Sequence, residues 1–295
     1  MANYDTGQDL LGYVLRRAGD ILPTAGPTDA SVATSDRYLD AKLTLNQAYL
    51  EICALKPWRW NRKRTQFLSL AEITRTVTSI SSATVTLSAI ISASMTGRKF
   101  MLDSEGIPCR ISAHTATSDV LTLEVAYSGS ETSGAGTIFQ DEITVATDIL
   151  AFPQVKQLHL GDELDLVPEE ELNRLVPRNA SGSTRARKGA FISASVLRIA
   201  PWTTEARLFE CTYNYRPSLL TFDGVAATDT PILPQEHRVV IGDRALEKIY
   251  ADKRDARTEI AAKNVAETFA RMSGTEITFG KPRVYVKRGQ SVSGY

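Results

Sequence analysis

The sequence predicts an α+β fold in which N-terminal helices and a long C-terminal helix pack as a helical bundle, with a large antiparallel β-rich middle of sandwich or barrel-like form. Two observations carry this prediction. Toward both ends of the chain, apolar residues recur at spacings of three and four, the mark of a helix with one buried face. From residue 65 to about 230 the texture changes to Thr, Val, Ile and Ser in near-alternation, broken by Gly, Ser and Asp turns, which suits half-buried strands. With 295 residues, 43% of them hydrophobic and 23% charged, the chain can build one large or two modest domains with a sizeable core.

Residues 7 to 19 predict a short helix capped by Asp5 or Thr6, with Leu10, Leu11, Val14, Leu15 and Ala18 on one face and Gly19 near its end. The prolines, glycine and small polar residues of "ILPTAGPTDASVATS" predict a loop. Ser35 or Asp36 can cap a second helix reaching about Leu55. Its apolar stripe is Leu39, the Lys42 stem, Leu43, Asn46, Ala48, Tyr49, Ile52 and Cys53. Pro57 stops it, because proline disfavours helical geometry in the residue before it.

The stretch that follows, "KPWRWNRKRTQFLSL", places two tryptophans among cations. If the chain is extended from residue 58, Trp58, Trp60 and Arg62 share one face while Arg59, Asn61 and Lys63 share the other. Three readings compete. The aromatics can cement a helix-to-strand junction, form a protein partner surface, or stack nucleic-acid bases between phosphate-binding cations.

Strand-like segments continue through "TRTVTSISSATVTLSA", "GRKFML", "CRISAHT", "VLTLEVAYSG" and "GTIFQDEITV". One helix interrupts them in "DLVPEEELNRLVP", where Pro168 precedes three glutamates at the positive end of the helix dipole. "RNASGSTRARKGAF" (178–191) predicts a flexible basic loop. "FISASVLRIAPW" and "ARLFECTYNYRP" predict a hairpin joined through "PWTTEA". After "TPILP" a long helix runs from about Gln235 to Met272, either bending at the polar "ADKRDARTE" or exposing both sides there for a turn or two, and stopping at Gly274. The expected organisation is a helical part, 1–60, packed with a long helix, 232–274. A β-rich domain, 61–231, carries an insert at 76–150, and an extended basic tail occupies 275–295.

The charge balance, 34 Lys and Arg against 34 Asp and Glu, weighs against a free-standing DNA-binding domain and suits a subunit that assembles with copies of itself. Cys53, Cys109 and Cys211 are far apart, without metal-ligand spacing, and read as buried thiols in a reducing compartment. The first residues lack a signal-peptide pattern, and no run approaches the ~20 apolar residues of a membrane span. His114, His159 and His237 stand alone. There is no G-x-S-x-G elbow, the glycines of "SGSETSGAG" lack a following helix, and Glu169, Glu170 and Glu171 point different ways on theirs. No enzymatic activity, cofactor or metal is expected. Candidate partner-binding residues are the cations Arg59, Lys63, Arg185, Arg187 and Lys188, together with Lys281, Arg283, Tyr285, Lys287 and Arg288 of the tail. Trp58, Trp60, Trp202 and Pro234 are candidate structural junctions.

The order of segments resembles the head-to-tail adaptor proteins of tailed bacteriophages, the tail tubular or gatekeeper-type connectors. The resemblance rests on the early helix with Trp58 and Trp60 just past its end, and on "LRIAPW" followed by a strand closing in Tyr215-Arg216-Pro217. It rests also on "PILPQEHRVVIGDRALEKIY", where Leu233 and Pro234 lead into the long helix. The β-rich segment 76–150 is similar to an insert common in such phage proteins. The resemblance implies a virion protein, made in the host cytoplasm, that forms a ring of about twelve copies at the head–tail interface. The implied partners are the portal and a tail or nozzle protein. DNA would pass through the lumen without specific binding, and acidic or neutral side chains rather than Arg59 or Lys63 would line that lumen, because each phosphate contact adds affinity and hence drag. A nucleic-acid-binding module using residues 56–64 and 281–288 is the alternative, and a tail or baseplate structural protein is another.

Overall fold

The computed structural model describes residues 4–19, 36–175 and 182–279. It is α+β, and the chain divides into two compact units, one of Met1–Asn61 with Pro217–Tyr295 and one of Arg62–Arg216.

In the first unit, α1 (Gly7–Ala18) opens on a complete capping box. Thr6 Oγ1 accepts from Asp9 N–H at 3.2 Å, and the Asp9 carboxylate accepts from Thr6 N–H at 3.0 Å. Leu10, Leu11, Val14 and Leu15 form its buried face, and Gly19, at φ +77°, closes it by donating to the Leu15 carbonyl. The helix start is seated on a carboxylate. Asp229, the last residue of the short α4 (Ala226–Asp229), accepts from the backbone N–H groups of Gln8 (2.9 Å), Phe222 (2.8 Å) and Gly224 (3.2 Å). A Cβ at Gly7 would lie 2.4 Å from its Oδ1, so only glycine allows this approach.

The second helix, α2 (Asp36–Leu55), packs on α1 and buries Tyr38, Ala41, Leu45, Ala48, Tyr49, Ile52 and Cys53. The expected stripe holds in the second half of the helix and fails in the first, where Leu39 and Leu43 are 46% and 62% exposed. Apolar residues occupy more than one face there, and the face bearing Tyr38, Ala41 and Leu45 is the one covered. Asn46 of α2 receives Leu220 N–H at 2.9 Å and donates to its carbonyl at 3.3 Å. That pairing brings the chain back into the helical unit from Pro217 onward, ahead of the expected boundary at 232.

The C-terminal helix is two helices, α5 (Val239–Asp252) and α6 (Arg257–Phe279), packed on each other. The expected single long helix breaks at residues 253–256, where Arg254 takes φ +51° and Asp255 receives Arg257 N–H at 2.9 Å, an N-terminal bond that starts a new helix. Gly274 does not stop α6, which runs on to Phe279. A glycine inside a helix costs only about 1 kcal/mol and needs a following left-handed turn to act as a terminator. Residues 275–279 of the expected tail are therefore helical, and 280–295 lie outside the described residues.

The second unit contains a closed barrel and two four-stranded sheets. The barrel order is β2 (Ile73–Ser81), β3 (Thr84–Ile91), β6 (Ser118–Leu123), β5 (Cys109–Ala113), β4 (Lys99–Leu102) and β7 (Gly134–Phe139), every neighbour pair antiparallel. A barrel-like form is thus present in the β-rich middle, but it spans residues 73–139 instead of the expected insert 76–150, whose last residues enter strands of the two sheets. The barrel interior is filled by residues such as Val77, Val85, Phe100, Ile111, Leu121 and Ile138. One sheet runs β1 (Arg62–Ser69), β14 (Arg207–Tyr215), β9 (Ile149–Gln157), β10 (Asp162–Glu163). The other runs β11 (Asp165–Leu166), β12 (Lys188–Phe191), β13 (Val196–Ala200), β8 (Glu142–Thr144). Phe67, Val155, Phe209 and Tyr213 of the first share a core with Ile143, Leu197 and Ile199 of the second. The seven-residue α3 (Glu169–Leu175) is the predicted interruption, with Leu172 buried.

Two further expectations fail in this unit. β13 and β14 form no hairpin, because they belong to different sheets. The segment between them is anchored, with Trp202 buried against Phe139 at 4.0 Å between ring centroids and Thr203 Oγ1 bonded to Ser69 Oγ at 2.7 Å. The basic loop expected over 178–191 is β12 from Lys188 onward, where Gly189 and Ala190 are buried against neighbouring strands. Residues 178–181 lie outside the described part.

Candidate interface site

Trp58 and Asn61 of "KPWRWN" cap α2. The last carbonyls of α2 have no partner within the helix. Trp58 Nε1 donates to Ile52 O at 2.6 Å, and the buried Asn61 Nδ2 donates to Cys53 O at 3.0 Å. Trp58 is 1% exposed, stacked on Trp60 at 5.8 Å and on Phe269 of α6 at 6.4 Å. The extended geometry expected from residue 58 does not occur. Arg59–Asn61 form a 3-10 turn and β1 begins only at Arg62. The aromatic faces are thus engaged with one another and with α6 inside the helical unit, rather than alternating on a strand.

Ion pairs hold most of the candidate cations in the described residues. Lys63 Nζ lies 2.6 Å from Asp148, whose other oxygen accepts from Tyr213 Oη at 2.6 Å. Burial pushes the Asp148 carboxyl up, but Lys63 and Tyr213 outweigh it and hold the group below its ordinary value. Arg185 faces Asp162 at 3.6 Å and Lys188 faces Asp165 at 2.7 Å. Arg59 and Arg187 are exposed. Trp202 Nε1 donates to Glu72 at 2.9 Å, and Pro234 leads into a 3-10 turn, Gln235–His237, accepting from His237 N–H at 2.9 Å. Lys281, Arg283, Tyr285, Lys287 and Arg288 lie outside the described residues.

Two arrangements escape sequence reasoning. The first is a groove of about 430 Å³ between α1, α2 and α5, lined by Val14, Ala18, Leu43 and Ile249 together with Thr44, Gln47, Asp40, Asp252 and Lys253. The last residues of α1 and α5, Ala18 and Asp252, both line it. The one signal in the sequence is the surplus of apolar positions on α2, Leu39 and Leu43 beyond the covered face. The second is a buried charge cluster. Lys99 Nζ lies 2.9 Å from Asp141 and 2.5 Å from Glu142, Arg198 Nε lies 3.4 Å from Asp141, and Arg198 also donates to Asn173. Two cations offset two carboxylates, so the cluster fastens the barrel strand β4 to β8, β13 and α3.

Other chemistry-bearing groups are used structurally. His114 Nδ1 accepts from Met95 N–H at 3.1 Å. Cys53, Cys109 and Cys211 are buried and form no disulfide, and burial pushes Cys53 up to about 12 and Cys211 up to about 11. Among the described residues no group of three His, Cys, Asp or Glu side chains could hold a metal ion, and no helix is long and apolar enough to cross a membrane. Compared with known proteins, the chain matches no protein-family model and no curated protein.

Proposed function

We propose that the protein is a structural virion component, a head-to-tail adaptor of a tailed bacteriophage that forms a ring of about twelve copies below the portal. The ring extends the DNA channel and seats the tail or nozzle protein. The observation that carries this reading is the exposed Leu39–Leu43 edge of α2 beside an apolar groove, on a helical unit built from both ends of the chain. A surface of this kind suits contact between identical neighbours. The order of segments supports the same reading.

Of the nucleic-acid-binding alternative only residues 56–64 fall within the described residues, and their geometry does not support stacking. A stacking platform needs open aromatic faces between free cations, whereas Trp58 stacks on Trp60 and Phe269, and Lys63, Arg185 and Lys188 pair with carboxylates. On the adaptor reading acidic or neutral side chains line the lumen, and Arg59 and Lys63 do not point at the axis. Negative-stain imaging of the protein alone and mixed with its portal tests the proposal, the expected result being a ring on the portal vertex. A protein that stays a single copy in the presence of the portal, or that localises in virions away from the genome exit, overturns it.

A further inference from the structure

We infer that the α1–α2–α5 groove is the receptor for the C-terminal basic segment Lys281–Arg288 of a second copy of this chain, with Tyr285 entering the groove. The inference rests on the homo-oligomeric reading above and names its contact.

Three observations lead to it. The groove is lined by apolar side chains such as Val14, Leu43 and Ile249 and carries two carboxylates, Asp40 and Asp252, on different helices against one ammonium, Lys253. The Arg17 carbonyl at the end of α1 already accepts from Tyr250 Oη at 2.6 Å and from Arg257 Nη1 at 3.2 Å, so the negative charge the groove offers is that of its carboxylates. The site therefore calls for an apolar group flanked by cations. The tail supplies that pattern in "KPRVYVKR", and residues 280–295 contain no Asp or Glu. Bound as an extended segment, it presents Arg283, Tyr285 and Lys287 on one side, the ring between two cations.

Reach decides which copy supplies the tail. The groove lies at the start of α6, since Arg257 Nη1 donates to Arg17 O at 3.2 Å, next to Ala18 of the groove lining. From there α6 leads away. Phe269 stacks on Trp58 and Ser273 Oγ bonds Lys56 Nζ at 2.7 Å, both at the far end of α2. The 23 residues of α6 place Phe279 about 34 Å from its first residue. Tyr285 is six positions beyond Phe279 and extends at most about 22 Å. The tail of a chain cannot fill the groove of the same chain, so the contact is between copies. Passed from each copy to the next, this contact closes into a ring; exchanged reciprocally, it gives a two-fold dimer.

The test is a trans disulfide between two full-length single variants, Leu43→Cys and a tagged Tyr285→Cys, mixed under mild oxidation. The native thiols are buried, so they give a low background. The expected product is a disulfide-linked heterodimer, identified on a non-reducing gel and by mass spectrometry of the linked peptide. Its yield should exceed by at least tenfold that of Tyr285→Cys with Ile90→Cys, an exposed control position on the barrel. Adding Asp252→Lys to the groove variant should cut the yield several-fold, and adding Lys287→Asp to the tail variant should restore it. Absence of the heterodimer, or a yield equal to the control, overturns the inference. So does a Leu43→Cys thiol shielded from alkylation equally in the presence and absence of residues 280–295, because residues 20–35 of the same chain would then be the occupant. Rings on the portal without the cross-link would sink this contact and spare the adaptor reading. The cross-link without portal binding would do the reverse.

Discussion

A carboxylate with three backbone N–H donors and no exposure, as at Asp229, keeps its burial cost offset only while all three donors stay in place. Gln8 supplies one of them from the first turn of α1, so the charge also sits at the positive end of that helix. Asp229→Ala should destabilise the helical unit by about 1–3 kcal/mol, leaving the three donors unpaired. Gly7→Ala should cost a similar amount, about 1–3 kcal/mol, because its Cβ overlaps the carboxylate instead of removing it. The two losses share one cause of strain. The double variant should therefore lose measurably less than the sum of the singles, a coupling read from urea melts of the three proteins. Strict additivity would mean that Gly7 and Asp229 do not constrain each other.

Among the elements, the charge cluster at Lys99 makes the clearest demand. Lys99→Met takes the ammonium away from both Asp141 and Glu142 at a largely buried site, so the β unit should lose about 3–5 kcal/mol. Lys99→Met with Glu142→Gln removes one charge of each sign and should recover a substantial part of that loss in the same denaturant titration. No recovery would show that packing of the lysine stem, rather than charge balance, matters there. None of this was legible in the sequence, because the four charged residues lie on β4, β13 and the residues around β8 and meet only through nonlocal pairing. The same cause hid the partners of β13 and β14. Each alternates as well against one neighbour as another, and only the anchoring of Trp202 and Thr203 separates them. Elements set by local chemistry were legible. The Thr6–Asp9 box and Gly19 bound α1, Pro57 follows the end of α2, Pro168 with its glutamates opens α3, and alternation marks the barrel strands. The groove was not legible, since Val14, Leu43 and Ile249 come from three helices and α2 offers two apolar faces.

At the scale of the whole molecule, the β unit is a continuous insertion between the two halves of a helical one. Its first and last strands are hydrogen-bonded neighbours, with Arg62 opposite Asn214, so their Cα atoms lie about 5 Å apart. A linker of about four residues, reaching about 13 Å, can therefore replace residues 62–216 and join Asn61 to Pro217. The shortened chain keeps the capping of α2 by Trp58 and Asn61, the Asp229 seat of α1, the groove and the tail. It should fold as a helical protein by circular dichroism and still form the tail-to-groove contact between copies in sedimentation and cross-linking. The excised fragment 62–216 keeps both sheet cores, the barrel and the Lys99 cluster. It should fold with its own cooperative melt and stay monomeric at the same concentration. Association of the β fragment with loss of association in the helical chain would invert this assignment, moving the ring contact to the strands. The predicted outcome follows from where the unmatched apolar edge and the acid-free tail both reside, which is the unit that the two ends of the chain build together.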